Sequence, residues 1–290
     1  MKMTSMRLVL LVLVAAMQTA WSKPFCTNRD VQGTYAFKAD GSVLVPGAPI
    51  SGPFMRLGWF NADGSGKVNA STIAVYNGIN FGLEVYGGTY IVSPDCTIDL
   101  KLFIPAPINA NATFKGRVAN EGEDVMFMLM STENPLAPAI TTVLGHGRRR
   151  KMNRCNVRDL DGAYRIEVNG WFNLSIGIPT QQRFLGRVQT NGAGALSASF
   201  IKSIGGVISE ERTNGTYTVN ADCTFALTYM LGGFPTVLRG SLIGRGDEAF
   251  VALNPPGQTV MIPPFGPVVI NGVVATGTMV QESGERDDDH

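Results

Sequence analysis

Two carboxylates stand out among the residues that could do chemistry. Glu84 lies six residues before Tyr90, and Glu211 lies six residues before Tyr217. In a strand successive side chains alternate between faces, so an even spacing puts each glutamate on its tyrosine's face. If that face is an apolar interior, burial raises the carboxyl pKa. The group could then act as an acid or as a polar anchor for a ligand. A bulge at Gly87-Gly88 would shift the phase and put Glu84 in water instead. Glu210 and Arg212 flank Glu211, so there an exposed or paired carboxylate is equally open.

Other reactive groups are sparse. The chain holds two histidines, His146 within Gly-His-Gly and His290 at the last position. That argues against Ser-His or Cys-His nucleophilic catalysis. No Gly-x-Ser-x-Gly elbow is present, and Gly64-Ser65-Gly66-Lys67 lacks the spacing of a phosphate loop. No cofactor motif is found. With 24 basic and 23 acidic residues the formal charge is +1, which gives no electrostatic reason to expect nucleic acid as a partner. Whether the protein is an enzyme is left open by the residues alone.

The elements that must position these glutamates occur twice. Gly88-Thr-Tyr90-Ile-Val92-Ser-Pro-Asp95-Cys96-Thr97 matches Gly215-Thr-Tyr217-Thr-Val219-Asn-Ala-Asp222-Cys223-Thr224, and Cys96 lies 127 positions before Cys223. Upstream, Cys26, Arg29-Asp30, Gly33 and Tyr35 match Cys155, Arg158-Asp159, Gly162 and Tyr164 at an offset of 129. Gly58, Gly64 and Gly66 match Gly186, Gly192 and Gly194 at an offset of 128. An offset that drifts one residue at a time is how loop insertions behave on a shared scaffold. A period this long is the size of a small domain rather than a solenoid repeat. We therefore expect repeat 1 over residues 23–150 and repeat 2 over 151–282, with a charged tail at 283–290.

Four cysteines allow three pairings. Each repeat carries one cysteine near its start and one about 70 residues on, so the duplication predicts Cys26–Cys96 and Cys155–Cys223. A zinc site is not expected, because no pair has close ligand spacing. Residues 1–22 have the layout of a secretory signal peptide: Lys2 and Arg7, the apolar run Leu8 to Ala16, then Ala20-Trp21-Ser22. This predicts a secreted protein, extracellular or periplasmic, in a compartment that permits disulfides. No other window is long and apolar enough for a membrane-spanning helix.

Sequons at Asn69, Asn111, Asn173 and Asn214 are glycosylation candidates in a eukaryotic secretory pathway. Arg148-Arg149-Arg150-Lys151 reads as a solvated linker or strand end, or as a processing site. The pairs Arg29-Asp30 and Arg158-Asp159 read as caps or ion pairs beside the disulfides. Asp95 and Asp222 read as turn formers. Tyr35, Tyr90, Tyr164 and Tyr217 read as core aromatics, and as weak ligand-binding candidates.

Alternation between glycine-rich turns predicts about eight short antiparallel strands per copy. In repeat 1 they fall near 33–39, 54–60, 66–76, 81–92, 96–104, 112–119, 124–131 and 140–148. In repeat 2 they fall near 162–168, 182–190, 193–203, 207–219, 222–231, 235–243, 248–253 and 266–280. Asp63-Gly64 and Asn191-Gly192 mark equivalent hairpin turns. The stretch from Val43 to Phe54 reads as a loop, because it carries Pro46, Pro49 and Pro53. Eight strands can close a barrel with room for packed side chains or one small ligand. A β-sandwich is the alternative. The fold class is all-β in either case.

Gly33/Tyr35, Asp63-Gly-Ser-Gly66 and Gly88 to Thr97, with their repeat 2 partners, resemble secreted microbial proteins with the allene oxide cyclase-like (calycin-like) barrel. The resemblance implies two tandem barrels of the lipocalin or allene oxide cyclase type. In that family an apolar substrate sits in the lumen and a buried glutamate assists its ring closure. The family's catalytic motif has no residue-by-residue match here, and a shared fold does not transfer function. Two functions are expected on this basis. The first is binding of a small apolar molecule, or service as an extracellular structural module. The second is a cyclase or isomerase acting in the lumen with Glu84 or Glu211 as its polar assistant.

Overall fold

A computed structural model describes residues 25–44, 49–105, 109–133, 140–172, 178–262, 266–270 and 272–282. The expected signal peptide, the charged tail and Asn173 lie outside the described residues. Strands β1 (Gly33–Leu44), β2 (Gly52–Ala62), β3 (Lys67–Tyr76), β4 (Ile79–Val92), β5 (Thr97–Ile104), β6 (Ala110–Ala119), β7 (Asp124–Thr132) and β8 (Ile140–Arg149) pair in sequence order. β1 pairs with β8, so the eight close into a barrel. The second half adds β9 (Asp161–Phe172), β10 (Thr180–Asn191), β11 (Ala195–Ile204), β12 (Val207–Val219), β13 (Thr224–Leu231), β14 (Phe234–Ile243), β15 (Glu248–Leu253), β16 (Gln258–Ile262), β17 (Gly266–Ile270) and β18 (Val273–Gln281). There β9 to β15 and β18 form the second closed barrel. Both barrels are antiparallel throughout.

The single strand expected over 266–280 is two strands. β17 and β16 form a hairpin that leaves the second barrel and adds to β4 of the first, pairing Val269 with Asn80 and Ile270 with Ile79. Periodicity could not show this, because which strand edge a hairpin joins is settled by tertiary packing. β1 and β2 also run further into the proline-rich stretch than expected, to Leu44 and from Gly52.

Alternation builds two apolar cores, one per lumen. Tyr35, Phe37, Leu100, Phe114 and Phe127 are buried in the first. Tyr164, Val188, Phe225, Leu227 and Leu238 are buried in the second. Strong coiling brings strands close together at the repeated glycines. A Cβ at Gly58 would collide with the carbonyl oxygen of Ser71, and one at Gly186 with that of Ser199. Disulfides join Cys26 to Cys96 and Cys155 to Cys223. In the turn after β2, Asp63 Oδ1 accepts from the N–H groups of Ser65, Gly66 and Lys67 at 2.8, 3.0 and 2.9 Å. Together with the Ser65 hydroxyl, these bonds hold its pKa down to about 2.

A third apolar cluster joins the barrels. Ala36, Met55, Leu57 and Val75 on the outer face of β1–β3 pack on Ile243, Phe250, Ala252 and Val274 from β14, β15 and β18. The basic run Arg148–Lys151 opens as the end of β8, as the strand-end reading expects, and is not a solvated linker. Arg148 pairs with Asp124 at 3.0 Å and with Glu248 of the second barrel. Arg149 reaches the Tyr35 hydroxyl at 3.0 Å, Arg150 donates to the carbonyl of Asp222, and the Lys151 N–H donates to Gly244 at 3.0 Å. Like charges tolerate this crowding because each side chain or amide has its own acceptor.

Candidate functional site

Glu84 faces the lumen of the first barrel. The β3–β4 ladder runs without a break from Lys67↔Thr89 to Ala74↔Gly82, so Gly87-Gly88 is not a bulge. The irregularity falls between Ala74 and Val75, beyond Glu84. The neighbouring lumen position on β2 is Arg56, and its guanidinium donates to Glu84 Oε2. Their side chains are 6% and 4% exposed. Arg56 also donates to the Tyr76 hydroxyl at 2.9 Å, and it lies 4.9 Å from the Tyr86 ring centroid and 5.6 Å from that of Phe54. Thr72 donates to the Tyr86 hydroxyl at 3.5 Å.

Burial lifts the Glu84 pKa above the usual carboxylate range, and the Arg56 charge opposes that rise. Burial would depress the Arg56 guanidinium, but Tyr76, Tyr86 and Glu84 outweigh it and hold the group charged. One donor and one acceptor are left over: among the described residues Arg56 Nε and Glu84 Oε1 are buried without a hydrogen-bond partner. Buried polar atoms are nearly always satisfied, so each such pair calls for an explanation.

Below this cluster Tyr86 shares the lumen with Phe37, Phe60, Leu100 and Phe127 around an apolar cavity of about 30 Å³, enough for about one water. The barrel wall is thin beside Glu84. β5 pairs with β4 only over Gly88–Val92, and β17 holds β4 only at Ile79 and Asn80. Among the described residues the stretch 81–87 has no ladder partner on that edge. Leu83 and Val85 project outward along it, each 70% exposed.

Glu211 holds the corresponding register in the second barrel, opposite Phe200, as Glu84 sits opposite Thr72. It lies nearer the mouth, at 21% side-chain exposure, and Lys202 donates to it at 2.6 Å. Burial would raise its pKa, but the Lys202 bond, the Gly232 N–H and the Lys202 charge prevail and lower it. Phe184 stands where the first barrel has Arg56.

The four repeated tyrosines are anchored at the disulfide end of each barrel. Tyr35 donates to Gly122 O at 2.6 Å and Tyr90 to Asn28 O at 3.2 Å. Tyr164 donates to Gly246 O and Tyr217 to Val157 O, both at 3.2 Å. Tyr90 also lines the apolar cavity. Asp30 and Asp159 accept from the backbone N–H groups of Thr27 and Asn156, capping short 3₁₀ turns beside the disulfides. Asp95 and Asp222 accept from the N–H groups of Thr97 and Thr224 at 3.1 Å in equivalent turns. Asn69, Asn111 and Asn214 lie at exposed strand positions. His146 is half-buried against Phe250, with its pKa lowered by that burial. Among the described residues no three His, Cys, Asp or Glu side chains come together as a metal site. No helix among them is long and apolar enough to cross a membrane. The disulfides fit a compartment outside the cytoplasm.

No protein-family model and no curated protein sequence matches the chain. Solved structures with partial likeness include a Nitrosomonas europaea protein named AttH, at 8% identity and a TM-score of 0.30, covering 86% of this chain and 92% of that one. A Nostoc punctiforme protein of unknown function has 11% identity and a TM-score of 0.26, covering 89% of this chain and 99% of that one. CghA with Sch210972 has 9% identity and a TM-score of 0.25, covering 87% and 89%. At these scores the three give no residue correspondence.

Proposed function

We propose that this is a secreted, non-catalytic binding protein whose first barrel takes one small molecule with an apolar body and a neutral polar head. The observation that carries this reading is the Arg56–Glu84 pair, which leaves one buried donor and one buried acceptor unused beside an apolar lumen. The pair's charges cancel each other, so a hydroxyl or amide fits better than an ionised group, which would remain uncompensated. The enclosed void is too small for such a molecule, so entry requires the β4 edge at residues 81–87 to move outward. The second copy, residues 151–282, braces the first through the shared apolar cluster and the β16–β17 hairpin.

The test is a titration with N-phenyl-1-naphthylamine, a neutral apolar fluorophore with one N–H. Saturable enhancement at one site per chain is expected, at least tenfold weaker in an Arg56→Met, Glu84→Leu double variant. Absence of saturation, or equal binding by that variant, would sink the proposal.

A second reading is favoured by the raised pKa of Glu84. It is an isomerase or cyclase working on the same apolar molecule, with Glu84 as a protonated assistant. Glu84→Gln separates the two readings: binding persists in both, but turnover of any identified ligand is lost only in the second.

A further inference from the structure

The barrels enclose a second site outside both lumens. Where β2 and β3 meet β13 and β14, a cleft of about 340 Å³ opens at the edge of the shared apolar cluster. That volume is within the about 300–1,000 Å³ usual for small-molecule sites, which favour domain interfaces. Its lining is unlike the lumen's. Trp59 supplies a half-buried aromatic wall, and Ser71, Asn220, Asp222 and Arg239 supply polar groups.

The wall is fixed in place. Trp59 Nε1 donates to Asp222 Oδ2 at 3.3 Å, and the Arg150 guanidinium lies 6.0 Å from the indole. Asp222 is itself held by the Thr224 N–H and hydroxyl, at 3.1 and 2.6 Å. At the far side Asn80 donates to Asn254 Oδ1 at 2.9 Å across the barrels and accepts from the Gly82 N–H at 2.8 Å, so the cleft's width is braced. Among the described residues the exposed Arg239 side chain carries no hydrogen bond or ion pair.

From this arrangement we infer a binding site for a neutral saccharide. A sugar ring presents an apolar C–H face that suits an indole, and a rim of hydroxyls that both donate and accept. Asp222 accepts, Arg239 donates in a planar fork, and Ser71 and Asn220 can do either. Within the lining Asp222 offsets Arg239, and Arg150 lies behind the wall with its guanidinium engaged by the Asp222 carbonyl, so the cleft is no cage for phosphate or carboxylate. The lining mixes these polar groups with Leu57, Ile73 and Leu83, which suits an amphipathic ring better than a wholly apolar ligand, whose burial would strip the polar groups of water. The cleft borders the β4 stretch at Gly82 and Leu83 that edges the first lumen, but the polar groups it offers, Ser71, Asn220, Asp222 and Arg239, lie outside that lumen.

The chain has three tryptophans, and a Trp21→Phe, Trp171→Phe variant leaves Trp59 as the single indole reporter. It is titrated with cellohexaose, maltohexaose, xylohexaose and chitohexaose, with oligogalacturonate as the anionic control. A saturable change in Trp59 emission with at least one neutral probe is expected, at least tenfold weaker in Arg239→Ala. Arg239 is exposed, so that variant leaves the fold intact, checked by its circular dichroism spectrum. Saturation by the anionic control alone, no saturation by any neutral probe, or an unchanged affinity in folded Arg239→Ala each overturns the inference.

Discussion

Glu84 and Glu211 share one register position, yet their cations come from different strands. Arg56 reaches Glu84 from β2, whereas Lys202 reaches Glu211 from β11, the strand that corresponds to β3. Ala74 fills the Lys202 position in the first barrel and Phe184 fills the Arg56 position in the second, since Arg56 pairs with Ala74 and Phe184 with Lys202. The ion pair has thus been kept while its cation moved by one strand. Retention through such a change points to the paired glutamate as the constant requirement.

Removing one member of the first pair strands the other in apolar surroundings. Arg56→Met, which strands the Glu84 carboxylate, should lower stability by about 3–5 kcal/mol, while Arg56→Met with Glu84→Leu should lie close to wild type or above it. Urea unfolding of the two variants checks this. A double variant as unstable as the single would mean that packing, not charge, is what matters there.

The strand migration can be reversed on purpose. Arg56→Phe should be destabilising alone, and so should Ala74→Lys, which adds a second buried cation. Together they rebuild the Phe184–Lys202 arrangement, with the introduced ammonium on β3 available to Glu84. A double-mutant cycle should therefore show favourable coupling of about 0.5–3 kcal/mol. Simple additivity would show that the two barrels do not solve the same problem in equivalent ways.

The two glutamates also give opposite pH dependence. The folded pKa of Glu84 is raised. Its stabilising proton is fully in place below the unfolded value of about 4.3 and is lost as pH rises through the folded value. The folded pKa of Glu211 is lowered, so its contribution is present above about 4.3 and is lost as pH falls. Across about pH 3 to pH 7, Glu84→Gln should remove a decline seen on going alkaline, and Glu211→Gln one seen on going acid. Urea midpoints against pH distinguish the two slopes, and matching slopes in both variants would contradict the assignment.

Much of this architecture was legible before any coordinates. Alternation and hairpin turns are local, so strands such as 207–219 and 248–253 have the expected limits. The cysteine pairing followed from duplication. Glu84 was legible through its even spacing from Tyr90, but Arg56, Tyr76 and Tyr86 were not singled out. They meet Glu84 only because β2, β3 and β4 curl into a barrel, and an arginine in a strand carries no local mark of facing inward. The route of the β16–β17 hairpin was hidden for the same reason. The basic run was legible as a strand end, since Arg148 and Arg149 close β8, but its acceptors, Asp124, Glu248 and the carbonyl of Asp222, were not, because they are far away in sequence.

Each disulfide closes a long loop, Cys96 lying 70 positions after Cys26 and Cys223 lying 68 after Cys155. Chain entropy gives roughly 4 kcal/mol for a loop of this length. Cys26→Ala with Cys96→Ala, and Cys155→Ala with Cys223→Ala, should each lower the unfolding free energy by about that amount. Chemical denaturation of the two paired variants is the check, and a loss below about 1 kcal/mol would mean that the unfolded chain stays compact without the bond.

Phe250 reports whether the barrels unfold as one body. It is buried on the outside of the second barrel, with His146 of the first at 5.2 Å and the Lys38 ammonium at 5.3 Å from its ring. Apolar contact here couples two units that each have their own lumen core, so wild type should melt in a single cooperative transition. Phe250→Ala opens a cavity in the joint while leaving both lumens intact, at a cost of about 3–5 kcal/mol. That cost falls on the coupling, so the variant should melt in two steps, with tyrosine and tryptophan signals no longer coincident. The β16–β17 hairpin would still tether the second half to β4, which keeps the steps close together. Two transitions already present in wild type would show instead that the joint is too weak to transmit unfolding, and that the first barrel's lumen opens without reference to the second.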